Sequence, residues 1–196
     1  MNKYLKKIQN LISKSGFILF FLRLPSRTIK NLFIKLSSLF WKIFLKECGD
    51  NVVIELGVRF ENPKNVIIKN NVYIGSNSIF GTELDEGIIV LEDHVHIGRN
   101  CKIDHTGNIA ISKNTLLSEN VRILSHSHGY NPKNNPIGLN LKIGKNCWFG
   151  INSIISENVI DIEDYTILGT GSILTKSVLE KNTIFAGVPA KKIKNY

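Results

Sequence analysis

Residues 91–123 read LEDHVHIGRNCKIDHTGNIAISKNTLLSENVRI, and apart from one longer step a large aliphatic side chain returns there every six residues. The same rhythm extends to both sides of this stretch, at Ile68, Ile74, Phe80, Leu91, Ile97, Ile103, Ile111, Leu117, Ile123, Ile143, Phe149, Ile155, Ile162, Leu168 and Leu174. An Asn stands three residues after many of these positions, namely Asn71, Asn77, Asn100, Asn114, Asn120, Asn146, Asn152 and Asn158. Because Asn tolerates a left-handed backbone well, the pattern predicts a sharp turn after each short apolar segment.

A repeat of this kind predicts a chain that winds into coils, each stacked on the next. The fold is therefore predicted to be all-β, a left-handed parallel β-helix of hexapeptide repeats over residues 48–196. Residues 1–47 are predicted to form a basic, amphipathic helical arm, and the chain is expected to end in a short C-terminal helix or tail. The rhythm fails over residues 124–141, which predicts an excursion loop there.

The net charge of +9 is concentrated in the arm. Residues 1–46 contain ten Lys or Arg and no acidic residue, so the repeat region is close to neutral. The cysteines, Cys48, Cys101 and Cys147, form no CxxC pair, and inert thiols in a reducing cytoplasm are expected. The apolar run at residues 17–22 is too short for a signal peptide, or for a membrane span of about 20 apolar residues.

Two short amphipathic helices are predicted in the arm, separated at Pro25 and Ser26. The basic residues of the two segments are Lys3, Lys6, Lys7 and Lys14, and then Lys35, Lys42 and Lys46 on one stripe. The second segment is otherwise apolar, with Leu32, Phe33, Leu36, Leu39, Phe40, Trp41, Ile43 and Phe44. This composition favours peripheral contact with the anionic inner face of the cytoplasmic membrane. The alternative is packing against the β-helix or a neighbouring subunit, and no nucleic-acid recognition motif accompanies the charge.

The excursion loop contains the residues best suited to chemistry. It follows Ile123 and begins with His126 and His128, whose imidazoles can accept a proton near neutral pH. Loops that leave a rigid scaffold are where substrates are usually met. His94, at an Asn-type turn position, and His96, expected to face outward, are interpreted as structural.

Three segments of the repeat region carry a resemblance: IGKNCWFG at residues 143–150, ILGTGSILTK at residues 167–176 and AGVPAK at residues 186–191. Together with the histidine loop, they resemble the hexapeptide-repeat O-acetyltransferases of the galactoside, maltose and surface-polysaccharide type, over roughly residues 52–194. The resemblance implies a homotrimer that uses acetyl-CoA and no metal. It also implies a sugar or glycan acceptor, in the assembly of cell-surface polysaccharide.

Carried over residue by residue, the resemblance implies that His128 is the general base, with His126 in reserve. Asp104 stands where the family has an Asn, and is expected to orient His128 or to hold the acceptor hydroxyl. The residues implied to contact acetyl-CoA are Trp148, Gly150 and Thr170 at the pantetheine arm, Thr175 and Lys176 at the nucleotide end, and Lys191 and Lys194 at the phosphates.

Other interpretations of the same residues stay open. Gly169 and Gly171 could be turn glycines alone, in which case the C-terminal lysines serve only solubility. A non-catalytic β-helix scaffold would need no acetyl-CoA. A zinc-dependent protein like the β-helical carbonic anhydrases would need three His ligands, and the sequence forces no third His close to His126 and His128. The seven-residue step from Ile155 to Ile162 predicts a bulge beside the cofactor groove.

Overall fold

A computed structural model describes residues 17–196, with side chains from residue 28 onward. Its α-helix, α1, spans Phe17–Phe44. The predicted break at Pro25 and Ser26 is wrong, because the helix continues through both residues. A proline inside a helix removes one backbone hydrogen bond, and the helical pattern on either side of Pro25 is long enough to continue despite that loss. Lys3, Lys6, Lys7 and Lys14 lie outside the described residues.

The rest of the described chain winds through three parallel sheets, called faces A, B and C here in the order in which the chain meets them. The strands of face A are Glu47–Cys48, Val66–Ile68, Ile89–Leu91, Ile109–Ile111, Leu141–Ile143 and Asp161–Ile162. Those of face B are Val53–Ile54, Tyr73–Ile74, His96–Ile97, Leu116–Leu117, Trp148–Phe149, Thr166–Leu168, Thr183–Gly187 and Ala190–Asn195. Those of face C are Arg59–Phe60, Ile79–Gly81, Lys102–Asp104, Arg122–Ile123, Ile154–Ile155 and Ile173–Leu174. A 3-10 helix at Pro63–Asn65 lies between the first two coils. This architecture confirms the predicted β-helix.

The register of the strands places the repeat positions above one another. Leu117, for example, pairs with Ile97 on one side and with Phe149 on the other. Each of the fifteen large apolar residues of the predicted rhythm, from Ile68 to Leu174, is at most 1% exposed, so the rhythm identified the inside of the coil. The residues just before these positions are partly or fully exposed, Leu116 and Trp148 among the fully exposed ones, as the alternation of side chains along a strand requires.

The turns between faces use the left-handed backbone that the Asn pattern predicts. Seven of the eight Asn residues have φ between 56° and 61°. His94 takes the same conformation with φ 60°, and its neighbour His96 is exposed and stacks on Tyr73. Asn158 is the exception and the prediction for it is wrong, because the extra residue of the Ile155–Ile162 step relaxes this turn. Ile160 is the residue that stands out of that turn, 59% exposed.

The last part of α1 covers the open end of the first coil. The Oγ of Ser38 accepts a hydrogen bond of 2.9 Å from the backbone N–H of Ile54. The Trp41 ring meets the Phe60 ring edge-on at 4.9 Å, and Leu45 is buried in the same core. The packing alternative for the arm therefore holds for this face of the helix.

The other faces of α1 are uncovered. The exposed apolar side chains are Ile29, Leu32, Phe33, Leu36, Leu39, Phe40, Ile43 and Phe44. Lys30, Lys35, Lys42 and Lys46 are exposed beside them. Among the described residues, no helix has both the length and the hydropathy that crossing a membrane requires.

The C-terminal end is a β-hairpin, so the expectation of a short helix there is wrong. Thr183–Gly187 extends face B in parallel, and Ala190–Asn195 returns antiparallel to it. This hairpin gives face B an edge formed by an exposed strand rich in lysine, and lysines on an edge strand discourage pairing with another sheet.

Candidate active site

The site lies at the turns that lead from face C to face A, called the C–A turns here. In three successive coils these turns occupy residues 82–88, 105–108 and 124–140, and the strands before them stack in register. The last of the three is the predicted excursion loop. It contains a two-stranded antiparallel hairpin, in which His126–Ser127 pairs with Ile137–Gly138.

The root of the excursion loop is fixed to the coil before it. The hydroxyl of Ser125 accepts a hydrogen bond of 3.0 Å from the N–H of Gly107, and the carbonyl of Ser125 accepts one of 2.7 Å from Leu139. A Cβ on Gly107 would lie 2.1 Å from the carbonyl oxygen of Leu139, so only glycine lets the loop return this close to the coil. The scaffold therefore holds both ends of the loop that carries the histidines.

Asp104 contacts His126 and not His128, so the expectation that it orients His128 is wrong. Its Oδ2 accepts a hydrogen bond of 2.7 Å from Nδ1 of His126 and one of 2.8 Å from the backbone N–H of Ser125. Its Oδ1 accepts hydrogen bonds from the N–H and hydroxyl of Thr106. The reason is the register of the coils. Asp104 ends a strand of face C, and the chain directly above it in the next coil is the start of the excursion loop. His126 lies at that start, whereas His128 is two residues further out.

Burial by itself would raise the pKa of Asp104, but hydrogen bonds from Thr106, Ser125 and His126 outweigh it and hold the pKa below its ordinary value. The carboxylate is therefore ionised at neutral pH and accepts from His126. When the His126 imidazole is neutral, this hydrogen bond places its proton on Nδ1 and its lone pair on Nε2.

His128 is held in the same tautomer by a different partner. Its Nδ1 donates a hydrogen bond of 2.7 Å to the backbone carbonyl of Asn134, within the excursion loop, and the Asn134 side chain donates back to the carbonyl of His128. The rings of His126 and His128 meet edge-on, with centroids 5.1 Å apart. His128 is the more accessible of the two, 29% exposed against 17%.

Glu83 is a third member of the cluster, and the sequence interpretation missed it. It comes from the C–A turn at residues 82–88, and its two carboxylate oxygens lie 3.4 Å from Nε2 of His126 and 3.4 Å from Nε2 of His128. The hydroxyl of Thr106 accepts a hydrogen bond from the N–H of Glu83 and donates one to Asp104, which connects the two acids. The signal that could have found it is the eleven-residue step from Phe80 to Leu91, a second interruption of the rhythm.

His105 is buried under the same turns. Its Nδ1 donates to the carbonyl of Gly87, and burial lowers its pKa below the ordinary value. His105 is therefore neutral at neutral pH, and its hydrogen bond to Gly87 supports the turns beneath the site. The thiols of Cys101 and Cys147 are also buried, which raises the pKa of each to about 11, so neither is a nucleophile at neutral pH.

The residues implied to contact acetyl-CoA lie on two different edges of the chain. Thr175 and Lys176 follow the last strand of face C, and so stand at the same edge of the coil as the histidines. The others lie on face B or on the turns that follow it: Trp148, Gly150, Thr170, Lys191 and Lys194. A single chain does not bring the two groups together.

Gly150 has a reason to be glycine that is independent of any cofactor. A Cβ there would lie 2.6 Å from the backbone nitrogen of Thr170 in the next coil. Gly171 has φ 67°, so its backbone conformation agrees with the interpretation of Gly171 as a turn glycine. Trp148 is half exposed, and its indole N–H donates a hydrogen bond of 3.0 Å to Ser118. The Trp148 ring therefore stands on the solvent side of face B.

Coils of hexapeptide repeats with a histidine loop at one stack of turns are what the sequence resemblance to the hexapeptide-repeat acyltransferases predicts. Comparison with known proteins agrees, since a family model described as the hexapeptide repeat of succinyl-transferase matches residues 65–91 and 140–176. The resemblance inferred from the sequence is thereby confirmed.

Among similar proteins is WbbJ of Escherichia coli K12, which is named for O-acetyl transfer in lipopolysaccharide biosynthesis. It is 27% identical over 182 residues, 84% of this chain and 88% of WbbJ. Galactoside O-acetyltransferase of the same organism is 29% identical over 74% of this chain, which spans 62% of that enzyme. Among solved structures, the N-acyltransferase AntD of Bacillus cereus, in complex with dTDP and 3-hydroxybutyryl-CoA, has a TM-score of 0.68 at 24% identity, over 81% of this chain and 87% of AntD.

Proposed function

We propose that this protein is an O-acetyltransferase that transfers an acetyl group from acetyl-CoA to a sugar hydroxyl in the biosynthesis of cell-surface polysaccharide, with His128 as general base. The observation that carries the proposal is the hydrogen bond from Nδ1 of His128 to Asn134, which leaves the lone pair of Nε2 accessible on the excursion loop. The names of WbbJ and galactoside O-acetyltransferase support O-acetyl transfer, and the name of WbbJ supports lipopolysaccharide as the product class.

The chemistry needs one base, because the thioester of acetyl-CoA is already activated and only the hydroxyl must lose a proton. Nε2 of His128 takes that proton as the sugar oxygen forms a bond to the thioester carbon. The carbon–sulfur bond then breaks, and the imidazolium returns the proton to the departing thiolate. The products are the acetyl ester and free CoA, and a positioned base of this kind contributes about 10²- to 10⁴-fold.

His126 and Asp104 have a separate place in this proposal. Asp104 fixes the His126 ring with its own Nε2 turned toward the same space as that of His128. We assign this pair to the acceptor side, where the Nε2 of His126 can accept a hydrogen bond from a neighbouring sugar hydroxyl. An acceptor held in this way keeps the reacting hydroxyl within reach of His128.

The position of the acetyl-CoA residues supports a site completed by a second copy of the chain. The histidines and Lys176 lie on one edge of the coil, whereas Trp148, Thr170 and Lys191 belong to face B and its turns. In a homotrimer, the edge of one chain stands against the face of its neighbour, and the groove between them could hold the pantetheine arm. Lys191 and Lys194, exposed on the last strand, would then meet the phosphates as point charges.

The direct test measures CoA release from acetyl-CoA with a panel of acceptors that contains free sugars, lipid-linked saccharides and isolated polysaccharide. We expect acceptor-dependent release with at least one member of the panel and an alkali-labile acetyl ester in its product. A scaffold without catalytic activity would neither release CoA nor bind acetyl-CoA in a calorimeter. An N-acetyl product, which is stable to mild alkali, would mean that the acceptor group is an amine and not a hydroxyl.

We further propose that the exposed apolar face of α1, with its adjacent lysines, binds the inner surface of the cytoplasmic membrane and so locates the enzyme in the cytoplasm at that surface. Half or more of the side chains of Leu32, Leu36 and Ile43 is exposed although the helix is docked through Ser38 and Trp41. Each lysine close to an anionic surface contributes about 1 kcal/mol to the free energy of membrane binding, and each apolar side chain that enters the membrane contributes further.

The triple variant Leu32→Gln, Leu36→Gln, Ile43→Gln should lose co-sedimentation with vesicles that contain anionic phospholipid. These side chains are outside the core, so the variant should keep its circular dichroism and its affinity for acetyl-CoA. Leu179→Gln, at an equally exposed position far along the coil, is the matched control and should bind vesicles as the parent does. Unchanged sedimentation of the triple variant would contradict the membrane role. Deletion of residues 1–46 is a poorer test, because it would also remove Trp41 and Leu45 from the core.

A further inference from the structure

Three side chains of one chain direct ligand atoms toward a single point. Glu83, His126 and His128 each offer one ligand atom, and these three atoms lie within 4.8 Å of one another. The Glu83 carboxylate faces Nε2 of both histidines. The two histidines are separated by one residue on the excursion loop, and Glu83 comes from a turn two coils away. This is a cluster formed by the fold, and it includes no residue of a second copy.

When the two imidazoles are neutral, their ring N–H groups point away from the centre of the cluster. Nδ1 of His126 donates to Asp104 and Nδ1 of His128 donates to the carbonyl of Asn134. In neutral imidazoles this leaves both Nε2 atoms as acceptors, and both face the Glu83 carboxylate, which is an acceptor alone. Acceptors that converge without a donor between them are stabilised by a cation.

We propose that Glu83, His126 and His128 form a binding site for a divalent transition-metal ion, of which Zn²⁺ fits best. Imidazole nitrogen and carboxylate oxygen are ordinary zinc ligands, and tetrahedral coordination at about 2.0–2.1 Å places donor atoms about 3.3 Å apart. Oε1 of Glu83 lies 3.4 Å from Nε2 of His126 and Oε2 lies 3.4 Å from Nε2 of His128, so each carboxylate–imidazole pair is close to this spacing. Three protein ligands leave one position for water, and half of the Glu83 side chain is exposed, so the ion has a path to the site.

The outer partners of the two histidines are those that metal sites use. A ligating histidine usually donates its other ring N–H to a carboxylate or a backbone carbonyl, which fixes the ring and strengthens the lone pair. Asp104 does this for His126 and Asn134 does it for His128. Asp104 is in turn held by Thr106 and Ser125, so the support extends into the coil.

Bound Zn²⁺ would occupy the lone pair of His128 that accepts the hydroxyl proton. The ion is therefore an inhibitor of acyl transfer and not its cofactor. This consequence rests on the proposed function, whereas the metal site itself does not.

The test is calorimetric titration of the parent chain with Zn²⁺ in the absence of acetyl-CoA, repeated with Co²⁺ to record the visible absorption of a site with nitrogen ligands. We expect one ion per chain. Glu83→Gln and His126→Ala remove ligands and should abolish stoichiometric binding. Asp104→Asn keeps the shape of the carboxylate but loses its charge, and should weaken binding by about 10- to 100-fold.

His94→Asn is the matched control, because it removes another histidine at a turn where Asn is the usual residue, and it should bind Zn²⁺ as the parent does. Glu83→Gln changes a half-exposed side chain and should remain folded by circular dichroism. Equal Zn²⁺ binding by the parent and Glu83→Gln, or no stoichiometric binding by the parent, would overturn the site. In the CoA-release assay, Zn²⁺ should inhibit and a chelator should restore the rate; binding without inhibition would keep the site and count against His128 as the base.

Discussion

The variant His128→Ala should release CoA about 10²- to 10⁴-fold more slowly than the parent at saturating acetyl-CoA and acceptor. In the parent, Nε2 of His128 carries the accessible lone pair on the excursion loop, and the hydrogen bond from Nδ1 to Asn134 orients the ring so that Nε2 can accept the hydroxyl proton. Removal of the imidazole leaves the acetyl-CoA groove unaltered in this proposal, so the loss should appear in kcat, with little change in the Kd for acetyl-CoA. The measurements are steady-state CoA release and calorimetric binding of acetyl-CoA.

Two further variants make this result specific. His126→Ala should lose less of kcat than His128→Ala and should raise KM for the acceptor, because His126 is assigned to the acceptor side. Lys133→Ala, an exposed change in the same loop, should leave both constants as they are. If His126→Ala instead loses the larger part of kcat and His128→Ala remains active, the base is His126, supported by Asp104.

The repeat rhythm predicted the inside of this molecule well because a coil imposes one constraint on many residues at once. A large residue such as Phe149 or Leu117 points inward at its position, whereas the residue before it in the sequence is directed to solvent. Turns were also predictable where the step between coils was regular. The prediction for Asn158 failed because an extra residue relaxed its turn. Tyr165 takes a left-handed φ of 59°, which a tyrosine side chain gives no reason to predict.

The site was predictable in part only. The interruption after Ile123 located the histidines, because a break in a rigid repeat can be read from the sequence alone. The partners of those histidines could not be read in the same way. Which turn residue reaches which ring depends on the lengths and paths of three stacked turns, and these follow from no periodicity. Asp104 was therefore assigned to the wrong histidine, and Glu83 was not found.

The arm shows a similar division. Its charge and apolar face were evident in the sequence, but the helical pattern could not say which side docks. The structure assigns Ser38 and Trp41 to the coil and leaves Leu36 and Ile43 exposed. A helix that covers the first coil is what a solenoid requires at its end, where the apolar ladder would otherwise meet water.

Leu117→Ala should destabilise the protein by about 2–5 kcal/mol, whereas Leu116→Ala should cost less than about 1 kcal/mol. The two residues have the same side chain and lie side by side on one strand, but Leu117 is fully buried and Leu116 is 37% exposed. The cavity at Leu117 would lie between Ile97 and Phe149, in the middle of the stack, and the coil before and the coil after it cannot both close on the space. Because each coil contacts only its neighbours, a weak central coil also uncouples the two ends. Chemical denaturation followed by circular dichroism should therefore show a lower midpoint and a broader transition for Leu117→Ala. Equal losses in the two variants would mean that the inward and outward positions of face B have been assigned wrongly, and with them the register on which the active site depends.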